Sequence, residues 1–209
     1  MRDLHLRDKI SNEEQRQNFE ILRDAVENIE QNWLQKIYNP IYWDDQQVGI
    51  SNVRLPAANA PTWTSYKGSQ VLAFDPAQDN YIYFSAQLTH AYEEGTDIEF
   101  HMHVAHPDAN SGNSQWHFSY SWATPGEAFP TEVVEDVLHA APGTADLNEY
   151  LDFADEIPGT GKGISSILLC SLYREGTAVA DTYANDIYLV GLDFHLKKNS
   201  PGSLQETSK

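Results

Sequence analysis

Residues 97–104 read Asp-Ile-Glu-Phe-His-Met-His-Val, and residues 115–122 read Gln-Trp-His-Phe-Ser-Tyr-Ser-Trp. In both stretches every second residue is large and apolar, and the residues between them are mostly polar. Successive side chains of a β-strand point to opposite faces, so this alternation predicts antiparallel strands that are half buried. We expect the apolar set to lie in the core, and His101 and His103 to lie on the outer face.

Further strands are predicted at residues 48–55, 70–75, 81–88, 164–174 and 186–196, separated by glycine-, asparagine- and serine-containing turns. Only residues 131–139 indicate a second short helix. Many short strands at regular spacing are typical of a sandwich. The sequence therefore predicts a mainly β fold, an antiparallel jelly-roll sandwich over residues 41–197, followed by a flexible C-terminal arm over residues 198–209.

An amphipathic helix is predicted before this domain, over residues 11–38. Its apolar residues recur at spacings of three and four, which is the a/d stripe of a heptad repeat: Phe19, Leu22, Val26, Ile29 and Trp33. Two structures are compatible with the stripe, a helix packed on its own domain and a short coiled coil that joins identical chains. Because so narrow a stripe suits a seam, residues 1–40 are predicted to be a helical oligomerisation segment.

Composition excludes several classes of function. The 209 residues carry a formal charge of −18, and no lysine or arginine occurs between Lys67 and Lys162. Nucleic acids and anionic membranes attract cationic proteins, so we expect neither as a partner. No stretch is apolar for long enough to span a membrane. The one cysteine, Cys170, excludes an intrachain disulfide and is expected to be a small buried residue.

The strongest chemical motif is Gly95 followed by His101-x-His103, which matches the opening of a cupin metal motif. Imidazoles two residues apart project to one side of a strand and can share an ion. The glutamate and the second cupin motif are missing, and the alternation turns both histidines away from the core. We therefore predict no catalytic residue, cofactor or resident metal, with a cupin-like metalloenzyme using His101 and His103 as the remote alternative.

Two more histidines, His117 and His195, also fall on polar strand faces. A solvated ladder, an intersubunit surface and an adventitious metal site all remain compatible with four outward imidazoles.

A series of blocks resembles small structural proteins of tailed bacteriophages. Across residues 40–209 the blocks are Gly95–Ile98 with Phe100-His101-x-His103, Gly112–Trp116 with Tyr120-x-Trp122, Gly159-x-Gly161 leading into Ile164–Tyr173, Asp181–Tyr183, Leu192–His195 and Gly202-Ser203-x-Gln205-Glu206. Leu204 departs from the family, which has a basic residue there. The N-terminal heptads lie outside the resemblance.

The resemblance implies a virion component with a jelly-roll body in several identical copies. We expect a capsid decoration or cement protein that is a homotrimer, contacts the major capsid protein or other virion proteins, and is made in the host cytoplasm before joining the capsid exterior. The alternative is a head or tail fibre or adaptor protein that binds host glycans.

Overall fold

The computed structural model describes residues 12–29, 41–153 and 156–206. The chain divides into two compact units, Met1–Pro40 and Ile41–Lys209. In the first unit, α1 spans Asn12–Ile29. The rest of the predicted helix, with Trp33, lies outside the described residues. Within the described ranges, no helix has the length and apolar character needed to cross a membrane.

In the described residues of the second unit, ten strands form two antiparallel sheets. The strands are β1 (Tyr42–Val48), β2 (Thr62–Tyr66), β3 (Ser69–Phe74), β4 (Asp79–Gln87), β5 (Glu99–Ala105), β6 (Asn113–Ala123), β7 (Val133–Ala140), β8 (Glu149–Asp152), β9 (Ile167–Glu175) and β10 (Ile187–Lys198). The six-stranded sheet has the order β2-β3-β10-β5-β8, with β1 also paired to β10, and the four-stranded sheet has the order β4-β9-β6-β7. This is a two-sheet, jelly-roll-like sandwich, as the sequence predicts.

The core lies between the two sheets and is built by the alternating residues. Phe100, Met102 and Val104 of β5 are buried together with Ile98 just before it, as are the apolar residues of β6. The rings of Phe100 and Phe118, one from each sheet, stack with centroids 3.9 Å apart. Burying each such side chain contributes roughly 1.5–3 kcal/mol, which is why the alternation determines the faces of both strands.

Two local predictions are wrong, and two strands were missed. Residues 131–139 do not form a helix, because β7 pairs along its length with β6 and takes an alternating exposed and half-buried pattern. The strand predicted at 48–55 lies earlier, as β1, and is followed by a 3₁₀ turn at Ile50–Asn52. Two short strands, β2 and β8, were not predicted, because each has the mixed composition of an edge strand.

A buried cation anchors the end of β9. Arg174 is fully buried and forms a two-pronged pair with Asp181, at 2.8 Å from both Nε and Nη2. Its Nη1 and Nη2 also donate to the carbonyl oxygens of Phe74, Asn185 and Tyr183. One side chain thus ties the 181–185 segment to both sheets, and its charge is balanced where it is buried.

The central strand of the large sheet changes partners part-way along. β10 pairs with β3 over Ile187–Leu189 and with β1 over Leu192–Lys198. Its register with β5 shifts between Leu189 and Gly191, which is a β-bulge. Bulges re-aim side chains and bend a strand. The consequence is an irregular outer surface on this sheet, between β1 and β3.

Candidate functional site

Five titratable side chains meet on the outer face of the six-stranded sheet, and we call them the outer-face cluster. They are contributed by β5 (His101 and His103), β10 (Asp193 and His195) and β1 (Asp45). The strand register brings them together, because Asp193 lies directly across from His101, and Asp45 directly across from His195. Directly opposite residues of an antiparallel pair have neighbouring side chains on the same face.

The donor atoms of this cluster lie close together. His101 Nε2 lies 2.6 Å from Asp193 Oδ1, and His103 Nε2 lies 3.9 Å from the same oxygen. His195 Nε2 lies 3.0 Å from Asp45 Oδ1. The 2.6 Å contact has the distance of an ion pair but lacks the alignment of a hydrogen bond, since Asp193 Oδ1 is buried without a hydrogen-bond partner. His101 Nδ1, the ring nitrogen that does not contact Asp193, is also buried without one.

His101 is on the predicted face but is not exposed to solvent. Its side chain is 1% exposed, whereas that of His103 is 34% exposed. The covering groups are the rings of Tyr150 and His195, whose centroids lie 4.2 Å and 4.1 Å from that of His101. Strand alternation explains why the His101 side chain points outward. The rings that cover it belong to two neighbouring strands, β8 and β10, and this pairing cannot be recognised from the sequence around His101.

Carboxylates surround these imidazoles. Burial, together with the charges of Asp152 and Glu99, raises the pKa of Tyr150 to about 12. Burial also raises the pKa of Asp152, with the charge of Glu99 as the next cause. Both shifts indicate a partly desolvated surface with negative potential, which favours cations and protonated groups.

A groove borders the outer-face cluster where β10 changes partners. Its volume is about 910 Å³, and its lining includes Gln47, Trp63, Gln70, His103 and Asp193. The indole of Trp63 is exposed. Two amides and a partly exposed indole next to charged groups form a surface suited to a polar ligand with an apolar face.

A second group, the end cluster, consists of His106, His139 and Glu149. Glu149 accepts hydrogen bonds from both imidazoles, at 2.6 Å from His106 Nδ1 and 2.9 Å from His139 Nε2. His139 belongs to the small sheet and Glu149 to the large one, so the carboxylate links the two sheets. Burial lowers the pKa of His106, an effect that the charge of Glu149 opposes. No motif in the sequence predicted this cluster.

The four outward histidines do not form one ladder. His117 lies on the outer face of the small sheet, where it pairs with Asp136 and Glu175 and stacks on Tyr173, with ring centroids 4.3 Å apart.

The helical stripe is found on α1, where Phe19, Leu22, Val26 and Ile29 are between 52% and 69% exposed. Cys170 is buried, and burial raises the pKa of its thiol.

Sequence reasoning missed the two aspartates of the outer-face cluster. Asp193 carried a usable signal, because it lies two residues before His195 and therefore shares its face of β10. Asp45 carried none, because the predicted strand began at residue 48 and its pairing with β10 is a long-range contact.

No protein-family model matches the sequence, and no curated protein matches it. Among solved structures, a xylan-binding CBM22 domain from Paenibacillus barcinonensis is 10% identical, with a TM-score of 0.41 over 71% of this chain and 93% of that domain. A CBM35 domain from Cellvibrio japonicus is also 10% identical, with a TM-score of 0.41 over 78% of this chain and 100% of that domain. At this level the likeness is confined to the strand arrangement.

Proposed function

We propose that this chain is a non-enzymatic structural protein of a tailed-phage virion, a capsid decoration or cement protein that acts as a homo-oligomer, with a trimer preferred. The observation that carries the proposal is the exposed apolar stripe of α1. Its four described members, Phe19, Leu22, Val26 and Ile29, follow the a/d positions of a heptad repeat and are more than half exposed. The resemblance of the β unit to phage structural proteins supplies the virion context.

A second copy of the same helix is the partner that fits this stripe. Helices in proteins gain most of their stability from packing an amphipathic face, and a/d seams pack against identical seams. Burial of each stripe side chain contributes about 1.5–3 kcal/mol before entropy is subtracted. The high negative charge of the chain keeps assembled particles apart from one another and from nucleic acid.

Light scattering after size-exclusion chromatography tests the oligomer. We expect a solution mass of about three times 23.6 kDa. The double variant Leu22→Asp/Ile29→Asp places charges in the seam and is expected to be monomeric. The matched control is Gln17→Asp/Ile21→Asp, which adds the same two charges outside the stripe, at positions that include an equally exposed isoleucine. A monomeric wild type, or equal effects of the two double variants, would contradict self-association through α1.

Capsid binding is tested separately, by co-sedimentation of the purified protein with capsids of the phage that encodes it. We expect saturable binding at a fixed number of copies per capsid. A stable oligomer that does not bind capsids would leave self-association intact and refute the decoration function.

The groove supports a second candidate, host-glycan binding by a fibre or adaptor protein. The specific observation is that Trp63, 43% exposed, lies in the same groove as Gln47 and Gln70. Sugars stack on exposed aromatic rings and bind to amides through their hydroxyls. Binding on a glycan array that is lost in Trp63→Ala, but kept in the control Trp43→Ala outside the groove lining, would favour this function. Absence of glycan binding by the wild type would refute it.

A further inference from the structure

Three groups of the outer-face cluster have the composition and proximity of a metal site. One donor atom from each of His101, His103 and Asp193 lies within 4.8 Å of the other two. Two imidazole nitrogens and one carboxylate oxygen form a mixed ligand set that suits divalent first-row transition metals, and zinc in particular. Calcium and magnesium prefer sets made of oxygen alone.

We propose that His101, His103 and Asp193 bind one divalent transition-metal ion of the zinc class. The ligands come from two adjacent strands, β5 and β10, in the middle of the large sheet. Strands hold their side chains in a fixed relative position, which a coordination site needs. This inference does not depend on oligomerisation or on a virion function.

An unsatisfied carboxylate oxygen supports a ligand between these side chains. Asp193 is 8% exposed, yet its Oδ1, which faces the buried His101, has no hydrogen-bond partner. A buried polar atom without a partner costs about 1–3 kcal/mol. His101 Nε2 lies 2.6 Å from this oxygen, whereas two ligand atoms on one tetrahedral zinc ion lie about 3.3 Å apart, so binding requires the two side chains to separate by less than about 1 Å.

The backbone opposite His103 leaves space for the imidazole. Gly191 is its cross-strand partner, at the β-bulge of β10. A Cβ at position 191 would lie 3.6–3.9 Å from atoms of the His103 side chain, in the space beside the ring. Gly191 therefore leaves this side of the His103 ring without a side-chain neighbour, although a Cβ there would make only ordinary van der Waals contact.

His195 and Asp45 complete the surroundings. The ring of His195 lies 4.1 Å from that of His101, and its Nε2 lies 3.0 Å from Asp45. His195 thus packs against the ring of one proposed ligand, His101, and Asp45 holds His195 in turn. His103 and Asp193 also line the groove, so a fourth coordination position on that side is accessible to water or to a ligand.

The end cluster is the natural control because it has the same residue types in a different arrangement. Its carboxylate already accepts two aligned hydrogen bonds, from His106 and His139. A metal there would have to displace both bonds. We therefore expect His139→Gln, which retains a donor near the position of Nε2, to leave metal binding unchanged.

The experiment uses the untagged full chain, treated with EDTA and dialysed into metal-free buffer. Isothermal titration with Zn²⁺ is expected to give one site per chain, and elemental analysis after dialysis one zinc. Co²⁺ is expected to give the intense visible absorption of a four-coordinate site, and Ca²⁺ and Mg²⁺ no saturable binding. Asp193→Asn and His103→Ala are each expected to weaken Zn²⁺ binding by more than the ~10–100-fold that loss of an outer partner costs.

One control shows that loss of zinc binding is not caused by misfolding, and a second shows that the site does not need two chains. His103 is 34% exposed, so His103→Ala is expected to remain folded, which far-UV circular dichroism and a urea titration would verify. Leu22→Asp/Ile29→Asp is expected to retain the zinc site, since its ligands come from one chain. The proposal is overturned by wild-type Zn²⁺ binding no tighter than that of folded His103→Ala, by equal binding of Ca²⁺, or by loss of zinc in His139→Gln or in the helix double variant.

Discussion

The two histidine–carboxylate clusters differ in how their carboxylates are satisfied. In the end cluster, Glu149 accepts one aligned hydrogen bond from each of His106 and His139, and it joins the two sheets. In the outer-face cluster, Asp193 lies 2.6 Å from His101, yet its Oδ1 has no hydrogen-bond donor. The same residue types thus serve two purposes. A carboxylate with aligned donors stabilises the fold, and one without them is available to a ligand.

Removing the carboxylate of the end cluster is expected to have the largest effect on stability. Glu149→Ala leaves the buried His106 Nδ1 without its partner, which costs about 2–3 kcal/mol of unfolding free energy. In metal-free buffer, Asp193→Asn is expected to change the free energy of unfolding by about 1 kcal/mol or less, because no aligned hydrogen bond is lost. Urea unfolding followed by tryptophan fluorescence measures both variants.

Added Zn²⁺ sharpens this contrast. It is expected to raise the unfolding midpoint of the wild type and of Glu149→Ala alike, and not that of Asp193→Asn. Equal losses of stability for the two carboxylate variants in metal-free buffer would show that the clusters do not differ as described.

The end cluster is also expected to make stability depend on pH, with an effect smaller than the loss of Glu149. Burial lowers the pKa of His106 below its ordinary 6.5, helped by the charges of His139 and Arg174 and opposed by Glu149. Below pH 6.5 the unfolded chain therefore binds a proton that the folded chain does not. The stability contributed by neutral His106 is present above 6.5 and is lost as the pH falls towards the lowered pKa.

The matched variant is His106→Asn, whose amide nitrogen occupies about the position of imidazole Nδ1 and does not titrate. Unfolding free energies across mildly acidic to neutral buffers with EDTA are expected to fall less steeply for this variant than for the wild type. Parallel curves for the two proteins would refute the assignment to His106.

The smallest effect on the free energy of unfolding is expected for a change at His117, on the outer face of the small sheet. His117 contacts Asp136 and Glu175, whose side chains are 62% and 40% exposed. The His117 side chain is 13% exposed, but solvent reaches and screens both of its partner carboxylates, so His117→Gln is expected to cost about 1 kcal/mol or less. Zinc affinity is expected to stay at the wild-type value in calorimetry. A loss of zinc affinity in His117→Gln would indicate that zinc binds to the four-stranded sheet, which contradicts the site proposed on the six-stranded sheet.

Strand faces could be predicted from the sequence because alternation is a local property. The alternating apolar residues of β5 and β6 and the one just before β5, from Ile98 to Val104 and from Trp116 to Trp122, are buried as expected. Edge strands could not be predicted, because β7 has half-exposed apolar residues whose conformation depends on pairing with β6. Arg174 is an exception to the expectation that charged side chains lie on the surface. It can be buried because the five N–H groups of its guanidinium find acceptors around it.

Local sequence was enough to predict the mainly β class, the apolar faces of the central strands, the outward direction of His101 and His103, and the spacing of the helical stripe. Each follows from a periodicity that neighbouring residues carry. Three features became evident only in the folded chain: Asp193 lies opposite His101, Asp45 approaches His195, and His101 is buried. These facts depend on the register of strands far apart in the chain, which is determined by packing of the whole sandwich.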